Sequence, residues 1–194
     1  MKYIITERQL GLINEDLTRM SGNYRATPLD DFFMSISSLG VKKKDFTKAF
    51  FNFFNKIGFK INHISPTQVL MYWQDLENDR SEIFDNRNFY KKDIVSGFAY
   101  HIAKNYIGLK ESAKGELEYI RVGKDSRSYY FFDPAFKIFV GGILVNKDDE
   151  LKGNSYEVRT SGVDKELIGG RYGLKMYMTV ISDVDYLSSD SILF

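Results

Sequence analysis

Gly169, Gly170 and Gly173 lie between a segment that reads as a strand, Tyr156–Val163, and one that reads as a helix, Tyr172–Ile181. The chemistry such a loop offers is anion binding. It turns backbone N–H groups toward a ligand, and the dipole of the helix it opens favours negative charge at that point. A glycine-rich turn that merely allows tight packing of strand on helix is the other reading, because a glycine cluster alone is a weak motif. No other stretch of the chain points to a ligand so directly.

The remaining candidates are weaker. His63 and His101 are far apart in sequence, and His101 falls on an apolar helix face, where a packing histidine is the better reading. No His, Asp and Glu spacing resembles a metal site. Asp30-Asp31 and Asp148-Asp149-Glu150 are acidic clusters that read as solvent-exposed. Lys42-Lys43-Lys44 reads as a solvated helix start. Trp73, beside Tyr72, reads as a packing anchor.

Composition narrows the function classes. The net charge is +1, from 27 basic and 26 acidic residues. That balance disfavours nucleic acid as a partner. There is no cysteine, which excludes disulfides, thiolate metal sites and a cysteine nucleophile. No apolar run approaches the roughly 20 residues of a membrane span. The first residues, Met1 to Arg8, lack a signal-peptide core, so a cytoplasmic protein is the expectation. With 16 Phe and 13 Tyr, large rings should dominate the core.

The elements that must position the loop follow from periodicity and punctuation. Helices are expected over Tyr3–Leu17, Pro28–Gly40, Lys42–Ile57 (with Asp45 as its cap-type residue), Thr67–Leu76 and Tyr90–Leu109. Strands are expected over Glu118–Val122, Ser128–Asp133, Phe136–Val145 and Tyr156–Val163, with turns at Lys124-Asp-Ser and Asp133-Pro134. Asn146–Asn154 reads as a hairpin loop, and Tyr186–Leu193 as a last strand. Helices, then an antiparallel run, then strand–loop–helix–strand make an α+β fold with a parallel crossover.

Val163-Asp-Lys-Glu-Leu-Ile-Gly-Gly-Arg-Tyr-Gly173, after a hairpin and before an amphipathic helix, resembles the acetyl-CoA signature of the GNAT N-acetyltransferase superfamily. That signature is a strand ending in an apolar residue, a short step, the loop Arg/Gln-x-x-Gly-x-Gly/Ala and a helix. Val163 falls on the strand end, Asp164 to Leu167 on the step and Ile168 to Gly173 on the loop. Ile168 stands where the family has Arg or Gln. Arg171 stands at the first signature glycine, and Gly173 matches the second. The resemblance covers roughly residues 90–194. It implies a GNAT-like, mainly antiparallel sheet flanked by helices over 67–194, preceded by a helical region over 1–66, with a weakly marked boundary near residues 64–67. The chain stops after the strand that follows the signature helix. The family continues with another helix and two strands, so the resemblance implies a truncated chain or a variant lacking half of the acceptor side.

The resemblance also implies a function. Acetyl-CoA would be the acyl donor, held by Val163, Gly169, Gly170, Arg171, Tyr172, Gly173 and Leu174. Backbone groups of the splayed strand would meet pantetheine, and loop N–H groups the pyrophosphate. Glu157 takes a position where the family sometimes places the base for an amine, although a solvated strand carboxylate is the plainer reading. Ser188 and Asp190 would lie across the splay on the acceptor side, where strand-end and capping roles compete. The reaction would be N-acylation of an unidentified amine, on a small molecule or a protein. The ends of the chain also resemble divergent GNAT-like proteins of bacteriophages. This leaves a second expectation, a non-catalytic phage-encoded interaction or structural protein on the same scaffold, located in the host cytoplasm.

Overall fold

Strand β3 (Ser126–Asp133) is buried on both faces, and this sets the architecture. In the computed structural model, which describes residues 28–58, 92–148, 155–163, 167, 171–187 and 191–193, Tyr129 and Phe131 of β3 join one core. Tyr130 and Phe132 join another on the opposite side. A strand apolar on both faces must lie centrally and be covered twice.

Among the described residues the sheet has six strands in sequence order: β1 (Lys110–Glu111), β2 (Glu118–Val122), β3, β4 (Ile138–Asp148), β5 (Ser155–Val163) and β6 (Ser191–Leu193). Strands β1 to β5 form an antiparallel meander, and β6 is parallel to β5. Helix α4 (Tyr172–Leu187) makes the crossover and packs Met176, Tyr177 and Val180 on Tyr129, Phe131 and Ile143. The other face carries α1 (Pro28–Ser35), α2 (Lys43–Lys56) and α3 (Lys92–Ile102). The chain is therefore α+β, a mixed and mainly antiparallel sheet flanked by helices.

The core on the three-helix side is built from phenylalanine. Phe32 and Phe33 of α1, Phe46, Phe50 and Phe54 of α2, and Phe98 of α3 pack with Phe132 and Phe139 of the sheet. The helices over residues 28–56 thus share one core with the sheet, while the expected boundary near residues 64–67 lies outside the described residues. Pro28, at the first turn of α1 where its missing N–H costs nothing, rests on the paired glycines Gly142 and Gly162. A Cβ at Gly162 would stand 2.9 Å from Pro28 Cγ, so the close approach of α1 to β5 requires glycine there.

Several expected boundaries shift. Helix α2 starts at Lys43 with Lys42 as its N-cap and no side-chain cap. Asp45 is not the cap but sits in the first turn, where its carboxylate faces the helix dipole. The helix expected over Tyr90–Leu109 changes character: α3 ends at Ile102 and a π-turn follows over Ala103–Ile107. The Asn105 side-chain amide donates to the His101 carbonyl at 2.8 Å, occupying the group that Asn105's own backbone N–H would otherwise reach. Phe136 is not in a strand. It sits in the β3–β4 turn, 72% exposed. Asn146 to Asp148 extend β4 rather than loop, and α4 runs on to Leu187, leaving Ser191–Leu193 as the last strand. Tyr3–Leu17, Thr67–Leu76, His63 and Trp73 lie outside the described residues. Lys42, Lys43 and Lys44 are exposed, and so is Asp31, while Asp30 is half-buried.

Candidate functional site

Among the described residues, one edge of β5 is paired over only part of its length. β6 meets only its first three residues, as Ser155↔Ser191, Tyr156↔Ile192 and Glu157↔Leu193. Along Val158–Val163 no described strand pairs with that edge. The other edge follows β4 to Val163, with a register shift that leaves Arg159 as an extra residue. A bulge bends its strand and redirects its groups, and such bulges recur beside functional sites. Among the described residues, β5 thus has no strand partner along this edge ahead of a helix N-terminus.

That N-terminus is α4. Val163 lies beside it: a Cβ added at Gly173 would come within 3.8 Å of Val163 Cγ2, an ordinary contact distance. Arg171 precedes the helix with φ 59°, a left-handed conformation that favours glycine. Arg171 and Leu174 are exposed. Tyr172 is held: its hydroxyl donates to Asp133 Oδ2 at 2.7 Å. The other carboxylate oxygen, Oδ1, accepts the Ala135 and Phe136 N–H groups at 2.8 and 3.0 Å. Asp133 therefore ties the β3–β4 turn to the start of α4. Sequence reading took Asp133-Pro134 only as a turn signal. Lys175 completes the N-terminal turn, 3.7 Å from Glu116.

The expected site residues divide accordingly. Val163, Arg171, Tyr172, Gly173 and Leu174 come together at the junction of β5 and α4, whereas Gly169, Gly170, Ser188 and Asp190 lie outside the described residues. Glu157 is six residues before Val163, about 20 Å along an extended strand, and it pairs with Arg159 at 3.2 Å. On the open stretch, Ser161 Oγ accepts a hydrogen bond from Tyr177 Oη of α4 at 2.6 Å, a pair not anticipated from sequence. Among the described residues no group of His, Asp or Glu is arranged to hold a metal ion, and no helix is long and apolar enough to cross a membrane. His101 packs between Phe53 and Tyr106. Burial first, and the Lys56 charge second, hold its pKa below the ordinary value.

Beneath α4 lies a second polar group. Asp183 accepts from Tyr119 Oη at 2.7 Å, Tyr129 Oη at 2.9 Å and Arg121 Nη1 at 3.0 Å. Burial, reinforced by Asp183, pushes the Tyr129 phenol up to about 12 and raises that of Tyr119 as well. Tyr172, desolvated and bonded to Asp133, is also pushed up to about 12. A phenol whose folded pKa exceeds its unfolded value near 10 contributes stability that is complete below pH 10. That stability is lost as the pH rises through the folded value. The expected result is alkaline unfolding between pH 10 and about 12, with tyrosinate absorbance appearing together with the loss of circular dichroism. Ionisation of all the tyrosines near pH 10 with the fold intact would contradict it. Compared with protein-family models, with curated proteins and with solved structures, the chain matches none.

Proposed function

We propose that the chain is an acyl-CoA-dependent N-acyltransferase of GNAT-like fold, with acetyl-CoA as donor and an amine as acceptor. The observation that carries this reading is the stretch Val158–Val163 of β5, whose outer edge pairs with no described strand, ahead of the N-terminus of α4 at Tyr172. An extended pantetheine arm carries amides that an unpaired strand edge can bond, and the helix N-terminus favours its phosphates. The left-handed backbone of Arg171 supports the same register, since the signature has a glycine at that position. Its exposed guanidinium is free to turn outward onto a phosphate. The amine would attack the thioester directly, forming the C–N bond of the amide as the C–S bond breaks. CoA would leave as the thiol that takes up the proton the amine gives up, with backbone N–H groups of the β5 edge stabilising the oxyanion.

Calorimetry with millimolar acetyl-CoA tests the reading. Gly173→Ala keeps binding, because the added methyl meets Val163 only at ordinary contact. Gly173→Asp sets a carboxylate beside the phosphates and weakens binding by about 100-fold or more. It should still fold, since an acidic residue suits the first turn of a helix. No heat from the unaltered chain at millimolar ligand sinks the proposal. A second reading, a non-catalytic phage-type interaction protein on this scaffold, is favoured by the Glu157–Arg159 pair, which engages the candidate base. Binding of acetyl-CoA with no acylation of any amine in a panel would select that reading.

A further inference from the structure

Arg127 is buried, with 8% of its surface exposed, on the α4 side of β3. Its Nε donates to the Lys124 carbonyl at 2.8 Å and its Nη2 to the Tyr156 hydroxyl. The guanidinium carbon also lies 4.1 Å from the centre of the Tyr156 ring. Among the described residues the remaining nitrogen, Nη1, is buried and meets no partner in hydrogen-bond geometry, although the guanidinium also acts on the neighbouring Tyr129 hydroxyl, lowering its pKa against the larger effect of burial. Among the described residues no ion pair joins Arg127 to a carboxylate. Asp183, beyond Tyr129, is already committed to three donors. A buried guanidinium cannot shed its proton, and leaving it without a counter-charge is costly. The Tyr156 hydroxyl accepts from Arg127, so its own proton is still available. No described acceptor takes it.

One cation and two neighbouring donors that no described acceptor takes therefore lie beside the exposed β2–β3 turn at Gly123–Asp125. We propose that Arg127 and Tyr156 form a binding site for a small oxyanion, a carboxylate or a phosphate. Arg127 gives it charge and the Nη1 hydrogens, and Tyr156 gives the hydroxyl proton. The site lies near the first residues of β5 and away from the start of α4, because Arg127 is six residues, about 20 Å, along β3 from Asp133, which holds Tyr172.

The experiment uses the full chain, with sodium phosphate and sodium acetate each titrated against sodium chloride of matched ionic strength. Melting temperature and calorimetry provide the readouts. The expected result is saturable stabilisation beyond the chloride control. A response to phosphate alone identifies a phosphate source, and a response to acetate alone a carboxylate source. Tyr156→Phe removes one donor and weakens the binding about tenfold. Arg127→Met abolishes it and, without anion, is no less stable than the unaltered chain, because an uncompensated buried cation has gone. Gly173→Asp leaves the response intact. The proposal is overturned if neither anion gives a saturable response, if Arg127→Met responds as the unaltered chain does, or if Gly173→Asp loses the response. Should Arg127→Met fail to fold, an unchanged affinity in Tyr156→Phe overturns it equally.

Discussion

Replacing Asp183 with alanine is expected to destabilise the fold by about 3–5 kcal/mol, because it removes one acceptor from three donors at once. Tyr129 has no exposed surface and Tyr119 has 6%. Neither hydroxyl can turn to water when the carboxylate is lost. Arg121, with 22% of its side chain exposed, recovers part of its solvation. Asp183→Asn keeps one acceptor oxygen and should lose roughly half as much. The decisive comparison is the double variant with Tyr129→Phe. Removing a donor that has already lost its acceptor costs little, so the two losses should fall short of additivity by about 1 kcal/mol or more. Urea unfolding of the four chains measures this. A loss below about 1 kcal/mol in Asp183→Ala, or strict additivity, would show that the cluster is solvated.

The same residue explains why the end of α4 was not legible in sequence. The helix was expected to end at Ile181, before Ser182 and Asp183. Asp183 instead points into the sheet, where tyrosines from β2 and β3 satisfy it. Sequence periodicity cannot tell an inward carboxylate with partners from an outward one without them, since the partners are 54 and 64 residues away. The π-turn at Ala103–Ile107 was hidden for a local reason. One inserted residue hardly alters the apolar spacing that marks a helix, and the side-chain bond of Asn105 that competes with the backbone has no signature in the pattern. What could be read was wherever glycine or proline marks a boundary. Gly58 takes positive φ two residues past α2, and Asp133-Pro134 turns β3 into β4, whereas α1 ends at Ser35, five residues short of the expected stop at Gly40. The open edge of β5 was expected only through the family resemblance. Nothing in the residues Val158 to Val163 announces that no described strand pairs with their outer edge, because pairing is a property of β6. The Asp133–Tyr172 bond escaped for the same reason as Asp183. It joins a turn to a helix 39 residues later.

Phe98→Ala is expected to cost about 3–5 kcal/mol, and to show that the helices over residues 28–56 and the sheet unfold together. Phe98 is 1% exposed. Its ring lies 5.5 Å from Phe50 and Phe53, 5.6 Å from Phe54, 5.7 Å from Phe46 and 6.0 Å from Phe33. These partners come from both α1 and α2, so one side chain of α3 joins all three helices. Edge-on and tilted rings fit one another in few ways, and rigid rings close poorly around a hole, which places the cost toward the upper end of the range. Phe98→Leu keeps much of the volume and should lose clearly less. With a urea dependence of about 2 kcal/mol/M, the alanine variant should shift the midpoint down by roughly 2 M. The shape of the transition carries the second part of the argument. Phe33 and Phe98 share a core with Phe132 and Phe139, so loosening the helices uncovers the sheet. One coincident transition by circular dichroism and tyrosine fluorescence is therefore expected. If the variant instead lost helical signal first, with the tyrosines of the α4 face still protected, the helical region would be a separate unit resting on the sheet rather than part of one core.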